Sequence, residues 1–478
     1  MNERSIDSPS AAATELSRRA FLGHYAGSLG GLALAHLLGG AACAATGATG
    51  EQAGALLRPK AKNVICLFQH GGPSQMDLFD PKPTLNKYHG QPYPGGHIEA
   101  HFDKQRGNVL GSPFKFAPHG QCGMELCEHL PHTARIADQL TLVRSMNTES
   151  VDHESALRLI HTGRFFAGMP SWGSWITYAL GSENRNLPAY VVLSDPAGLP
   201  VDGERNWSAG WLPAVYQGTT FRSGKSPVLN LQTPDSVTPE ARRNQLAYLE
   251  RLNRLHLEHH PRNSELEARL ANFETAARMQ TAVPGVLDIA AETAETHKLY
   301  GLDRDETREY GTRCLLARRL VEQGVRFVQI FLQSQPWDTH NHNAESLKGL
   351  CAKTDQPSAA LVEDLARRGL LDSTIVLWTG EFGRLPISQG ADGRDHNRRG
   401  FSLWIAGGGF KPGYVHGATD EFGYEAVQDV VTVHDLHATL LAALGLDHQR
   451  LTYPHDGRPT SLTDPEVTKA RVVPALLA

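Results

Sequence analysis

Six short runs along the chain are dominated by apolar residues without strict alternation: 63–69, 140–143, 189–193, 325–332, 374–378 and 401–406. Strands buried on both faces read in this way. Between them the spacing turns helical. Leu246, Leu249, Leu252 and Leu255, then Leu266, Leu270 and Phe273, predict a pair of long helices over 238–282. Further helices are predicted over 306–323, 356–368 and 434–444. Helices alternating with doubly buried strands predict an α/β fold with a mostly parallel central sheet and helices on both faces. No internal repeat and no dividing linker is visible. The expectation is one domain over 60–465 with a helical insertion near 238–300. Residues 80–122, rich in Pro, Gly and His, read as a long surface excursion.

Ligands of such sheets bind beyond the carboxyl ends of the strands. The first run leads into His70-Gly71-Gly72-Pro73-Ser74-Gln75-Met76-Asp77. The run ending at Leu332 is followed by Trp337-Asp338-Thr339-His340-Asn341-His342. Glu381-Phe382-Gly383-Arg384 follows Trp378, and Arg394-Asp395-His396-Asn397 precedes Phe401. Each of these ends carries a carboxylate, an imidazole or both, the side chains that hold Zn, Mn or Fe(II), with carboxylates also admitting Mg or Ca. Each has a plainer reading. Asp338 and His340 can form a hydrogen-bonded loop pair, Glu381 a buried ion pair with Arg384 or Arg394, and Ser74 a helix cap. His153, ahead of a helix, reads equally as a cap or a pocket residue.

Composition narrows the classes. With 46 Lys and Arg against 51 Asp and Glu, the net charge of -5 gives no basic excess for nucleic-acid binding. Hydrophobic residues at 40% suffice for a core. Ser17-Arg18-Arg19-Ala20-Phe21-Leu22 opens a weakly apolar Gly/Ala/Leu segment interrupted by His24 and His36. This predicts a twin-arginine export signal over 1–45 rather than a membrane anchor, hence passage through the twin-arginine translocase to the periplasm or beyond. Cys66, Cys122, Cys127, Cys314 and Cys351 remain after the signal. Five scattered thiols exclude a disulfide scaffold. Cys122 and Cys127 are close enough in sequence to pair but read as ordinary thiols.

The run Leu67-Phe68-Gln69-His70-Gly71-Gly72-Pro73-Ser74-Gln75-Met76-Asp77 resembles the opening of the bacterial family called domain of unknown function 1501. Pro170-Ser171-Trp172-Gly173, Trp337-Asp338-Thr339-His340, Gly380-Glu381-Phe382-Gly383-Arg384, Gly393-Arg394-Asp395-His396-Asn397 and His434-Asp435-Leu436-His437 extend the likeness over about 60–465. The family is grouped with the alkaline phosphatase and sulfatase superfamily. The resemblance therefore implies that fold, and ester hydrolysis at one or two divalent ions. By that analogy Glu381 replaces an Asp ligand, and Phe382 stands where a ligand is usual. His70 stands where an Asp is usual, and His396 matches the last His ligand. The superfamily spacing pairs Asp338 with His342, and the narrower family pattern pairs Asp338 with His340. No sulfatase-type Cys/Ser-x-Pro-x-Arg motif follows Ser74.

The expectation is an exported, metal-dependent hydrolase of phosphate or sulfate esters, acting on a small or glycan anionic substrate. Asp338, His340 or His342, and His396 would hold one ion. Glu381, with His70 or Asp77, would complete it or hold a second. Ser74 is the candidate nucleophile, with water as its replacement. Arg384 or Arg394 would clamp the anion, since guanidinium matches phosphate and sulfate oxygens. The rival is a binding or scaffold protein on the same fold.

Overall fold

In a computed structural model of the chain, residues 60–222, 236–260 and 264–478 are described. The predicted export signal lies outside them. The strands that matter here are β1 (Asn63–Phe68), β2 (Leu140–Asn147), β3 (Tyr190–Leu193), β4 (Thr219–Phe221), β5 (Phe327–Phe331), β6 (Thr374–Thr379), β7 (Gly383–Gln389), β8 (Gly393–Asn397), β9 (Phe401–Ala406) and β10 (Tyr414–His416). The principal helices are α1 (His153–Thr162), α2 (Trp172–Leu180), α3 (Pro239–His259), α4 (Ser264–Leu287), α5 (Asp305–Glu322), α6 (Asn343–Arg367) and α7 (Val433–Ala443).

The central sheet runs β10-β2-β9-β6-β1-β5-β3-β4. Strands β6, β1, β5, β3 and β4 are parallel to one another. Only β9 runs against them, antiparallel to both β6 and β2. The fold class is therefore the mostly parallel α/β sheet that the sequence predicts. Side chains alternate between the faces of a strand. In β1, Ile65 and Leu67 join one apolar cluster with α5 and α6. Val64, Cys66 and Phe68 join the other, with α1, α2 and α7. Two covered faces explain why the strand sequences lack alternation.

Three features that the sequence reading did not give bear on the site. Helix α6 begins at Asn343, well before the predicted 356, and carries Pro357 inside it. A proline tends to break a helix interior, so the pattern suggested a start near it. The segment 383–397, for which the sequence reading gives no element, forms the hairpin β7–β8, flanked by the short strand Arg106–Val109. The excursion 80–122 supplies that strand and so contributes to the site. No helix among the described residues is long and apolar enough to cross a membrane.

Candidate metal centre

Strands β1, β5 and β6 point the same way, so their carboxyl ends meet at one edge. The turn after β1 is held tight by glycine. Gly71 has φ +109°, and a Cβ there would stand 2.4 Å from the Asp338 backbone nitrogen. This close approach brings the segment after β5 against the segment after β1, with Trp337 N donating to His70 O at 2.9 Å. Residue Glu381 follows β6 directly, and β8 delivers His396 from the side. The helix α1, capped by Asp152 on the Ser155 backbone N–H, places His153 as its first residue.

The result is a group of three imidazoles around one carboxylate. His153, Asp338, His340 and His396 each offer a ligand atom, and these atoms lie within 4.8 Å of one another. Asp338 Oδ1 is 2.9 Å from His340 Nε2, 3.2 Å from His396 Nε2 and 2.6 Å from the Arg384 guanidinium. Its Oδ2 accepts from Gln335 Nε2 at 2.9 Å and lies 3.3 Å from His153 Nε2.

The far nitrogen of each ring is spoken for. His396 Nδ1 is 2.6 Å from the Val151 carbonyl, which can only accept, so Nδ1 carries the hydrogen. His153 Nδ1 is 2.7 Å from Glu381 Oε1. His340 Nδ1 meets Gln389 Oε1, an amide turned by its own N–H donation to Gln105. Outer acceptors of this kind fix a ring's tautomer and orient Nε2 inward, the usual arrangement behind metal-bound histidine. Three Nε2 atoms thus converge on one carboxylate, an arrangement that a cation held between them would suit. Burial lowers the His153 pKa, but Asp338 and Glu381 outweigh it and raise it to about 9. Burial instead holds His396 down at about 3, despite Asp338 beside it, so that ring is neutral. Burial pushes the Asp338 carboxyl up, yet the three histidines and Arg384 hold it well below the usual carboxylate range.

Beneath the group lies a second incomplete feature. Glu381 is fully buried. Its Oε1 accepts from the Gly71 N–H at 2.8 Å, while Oε2 has no hydrogen-bond partner among the described residues. Neither ring nitrogen of the equally buried His70 has one. Its ring sits against Phe68 and Phe331 at centroid distances of 4.6 and 5.2 Å. Phe382 packs against His396 and His153 at 4.6 and 4.9 Å, forming an apolar wall.

Of the residues predicted from sequence, Asp338, His340 and His396 come together, and Glu381 joins them through His153. His70 directly precedes Gly71, whose N–H donates to Glu381. His342 stands apart, with an exposed side chain 3.4 Å from Asp392. Ser74, Asp77 and Arg394 form a different network. Ser74 Oγ donates to Asp77 Oδ2 at 2.6 Å, and the same carboxylate takes Arg394 Nε at 2.7 Å and Asn343 Nδ2 at 3.0 Å. Arg384 is fully buried and donates to the Gly71, Gly72, Trp337 and Arg394 carbonyls as well as to Asp338. His153 is the site residue that the sequence left undecided. Its signal is a position directly after a helix-capping Asp, which marks a helix start but not what the start faces. The motif residues His434 and His437 donate to the Gly163 and Ile160 carbonyls at the end of α1. They steady the helix that carries His153.

The description "protein of unknown function (DUF1501)" matches residues 61–477. The chain belongs to that family. No curated protein matches the sequence. Among solved structures, it is similar to the PsFucS1 sulfatase from Pseudoalteromonas sp., at 12% identity and TM-score 0.35, covering 81% of this chain and 68% of that one. It is also similar to a phosphonate monoester hydrolase from Silicibacter pomeroyi, at 11% identity and TM-score 0.34, covering 86% and 77%. A third is a protein in the alkaline phosphatase superfamily from Vibrio parahaemolyticus, at 9% identity and TM-score 0.34, covering 82% and 68%. None of these likenesses assigns a reaction to this DUF1501 chain.

Proposed function

We propose that this DUF1501 protein is an exported hydrolase of phosphate or sulfate esters that works with a divalent ion. The observation that supports it is the convergence of three imidazole Nε2 atoms on Asp338, each ring held from behind by an outer acceptor. His153, Asp338, His340 and His396 would hold the ion. Nitrogen donors with one carboxylate suit Zn, Mn or Fe(II) better than Ca or Mg. The ion would supply Lewis acidity to an ester oxygen and offset its developing charge.

The chain's own groups do the positioning. Glu381 keeps His153 turned inward, Gln389 does so for His340, and Arg384 fixes Asp338. Phe382 walls one side against water. Ser74 is buried, and its hydroxyl is committed to Asp77, so water is the nucleophile in this reading. Arg384 and Arg394 are positioning residues rather than an anion clamp, because their donors are taken up by carbonyls and carboxylates within the chain. Export rests on the twin arginine at Arg18-Arg19 and would place the substrate outside the cytoplasm.

The test is hydrolysis of 4-nitrophenyl sulfate and 4-nitrophenyl phosphate by the protein reconstituted with Zn or Mn. Turnover of either that disappears in Asp338→Ala supports the proposal. Tight metal binding with no turnover above Asp338→Ala on either ester overturns it. The alternative reading, a binding protein on the same fold, would then stand. It draws on one observation, that Ser74, Arg384 and Arg394 are all committed to internal partners.

A further inference from the structure

The stretch between Ile98 and Arg106 is polar but for one large apolar side chain, Phe102. Both ends of the stretch are anchored on the β7–β8 hairpin. Ile98 is buried with Leu385 and Ile387 of β7, and Arg106 pairs with Gln389. Between these anchors the chain is tied to the residues that carry two of the candidate ligands. The Phe102 N–H donates to Asp395 Oδ2 at 2.7 Å, while Oδ1 of the same carboxylate accepts from the His396 N–H at 2.8 Å. Gln105 accepts from Gln389, which orients His340, and its carbonyl accepts from the Gly390 N–H at 3.1 Å.

This anchoring sets two rings against the metal centre. The His101 ring stacks on His396, with centroids 5.2 Å apart and planes 24° apart. Phe102 stands at right angles to His340, at 5.3 Å and 86°, and to His101, at 4.6 Å and 87°. Of the four candidate ligands His340 has the most open side chain. It is 22% exposed, against 13% for Asp338, 12% for His153 and 3% for His396. The way in from solvent therefore lies beside His340, and Phe102 borders it. The phenyl is itself 41% exposed. A single exposed apolar side chain on a surface needs no explanation. This one is pinned through its backbone by the buried Asp395, borders a metal centre and meets a second exposed ring at a right angle.

We propose that His101 and Phe102 form a subsite for the organic part of the ester, and that it takes a flat group with an apolar face, such as an aryl ring. The inference rests on the ester-hydrolase reading of the centre and adds the class of organic group to it. Aromatic rings meet best offset-stacked or edge-to-face, with centroids about 4.5–7 Å apart. The right-angled pair offers an incoming ring both contacts. The ester's anionic oxygens would meet the ion while its ring rests against Phe102. A small alkyl ester has no ring to place there.

The test titrates the zinc-loaded protein with phenylphosphonate and with methylphosphonate by isothermal calorimetry. The two probes share an anionic head and contain no ester bond, so binding is read without turnover. Phenylphosphonate is expected to bind about tenfold tighter, the size of one good aromatic contact. In Phe102→Ala the two affinities should become nearly equal, and in Phe102→Trp the preference should persist, with zinc content unchanged in both. Equal affinities in the unsubstituted protein, or a phenyl preference that survives Phe102→Ala, overturns the subsite and leaves the ester-hydrolase reading standing. Loss of zinc in Phe102→Ala makes the side chain a support of the centre and also overturns the subsite. Binding of neither probe to the zinc-loaded protein removes the anion-binding centre itself, and the subsite with it.

Discussion

Asp77 and Asp338 lie at the same edge of the sheet, and each is paired with a buried arginine. Asp77 accepts from Arg394 twice, from Ser74 and from Asn343. The guanidinium and the amide NH2 can only donate, and the serine hydroxyl turns to match. Burial pushes the Asp77 carboxyl up, but these partners outweigh it and hold it below the ordinary range. The network is closed. Asp338 has Arg384 and Gln335 as donors, but its other neighbours are three imidazoles whose outer nitrogens are already committed. Close by, Glu381 Oε2 and both nitrogens of His70 have no hydrogen-bond partner among the described residues. Leaving a buried polar group unsatisfied costs about 1–3 kcal/mol. A closed network is scaffold, and an open one is the place for a ligand.

The largest effect that would break this contrast is at Asp338. Replacing it by Ala removes the acceptor on which the rings converge, and metal measured after dialysis should fall to the level of a blank. Retention of the ion would end the distinction between the two networks. Next is Arg394→Ala, which leaves Asp77 charged and unpaired in the interior. Breaking a buried pair from one side costs about 3–5 kcal/mol, read as a lower urea midpoint. Metal content per folded molecule should not change. Gln389→Ala sharpens the comparison at a finer scale. It frees the His340 ring without touching Asp338, and loss of an outer partner weakens metal affinity by about 10–100-fold. An unchanged affinity by competition with a chelator would show that the ring needs no such support. The smallest effect is that of Ser74→Ala. A lost hydrogen bond to a carboxylate costs about 1.5 kcal/mol, and hydrolysis should persist. A variant of normal stability with abolished turnover would restore Ser74 as nucleophile.

The comparison also marks how far the sequence could be read. The sheet was legible because strands covered on both faces cannot alternate. The carboxyl-end rule then singled out Asp338, His340, Glu381 and His396, which do lie at one edge. What separates Ser74, Arg384 and Arg394 from them is whether their hydrogen-bonding capacity is already taken, and partners such as Asn343 or the Gly72 carbonyl are remote in sequence. His153 was left open for the same reason. Its inward face exists only because α1 docks beside β8. The early start of α6 was hidden by Pro357, and the β7–β8 hairpin by polar ligand-type residues that seldom read as strand.

The most direct measurement is the metal content of the chain from residue 46 onward, purified and then reconstituted, by inductively coupled plasma mass spectrometry. At least one tightly held equivalent of Zn, Mn or Fe is expected, lost in Asp338→Ala and kept in Ser74→Ala. No bound metal after reconstitution with each of these ions would contradict it.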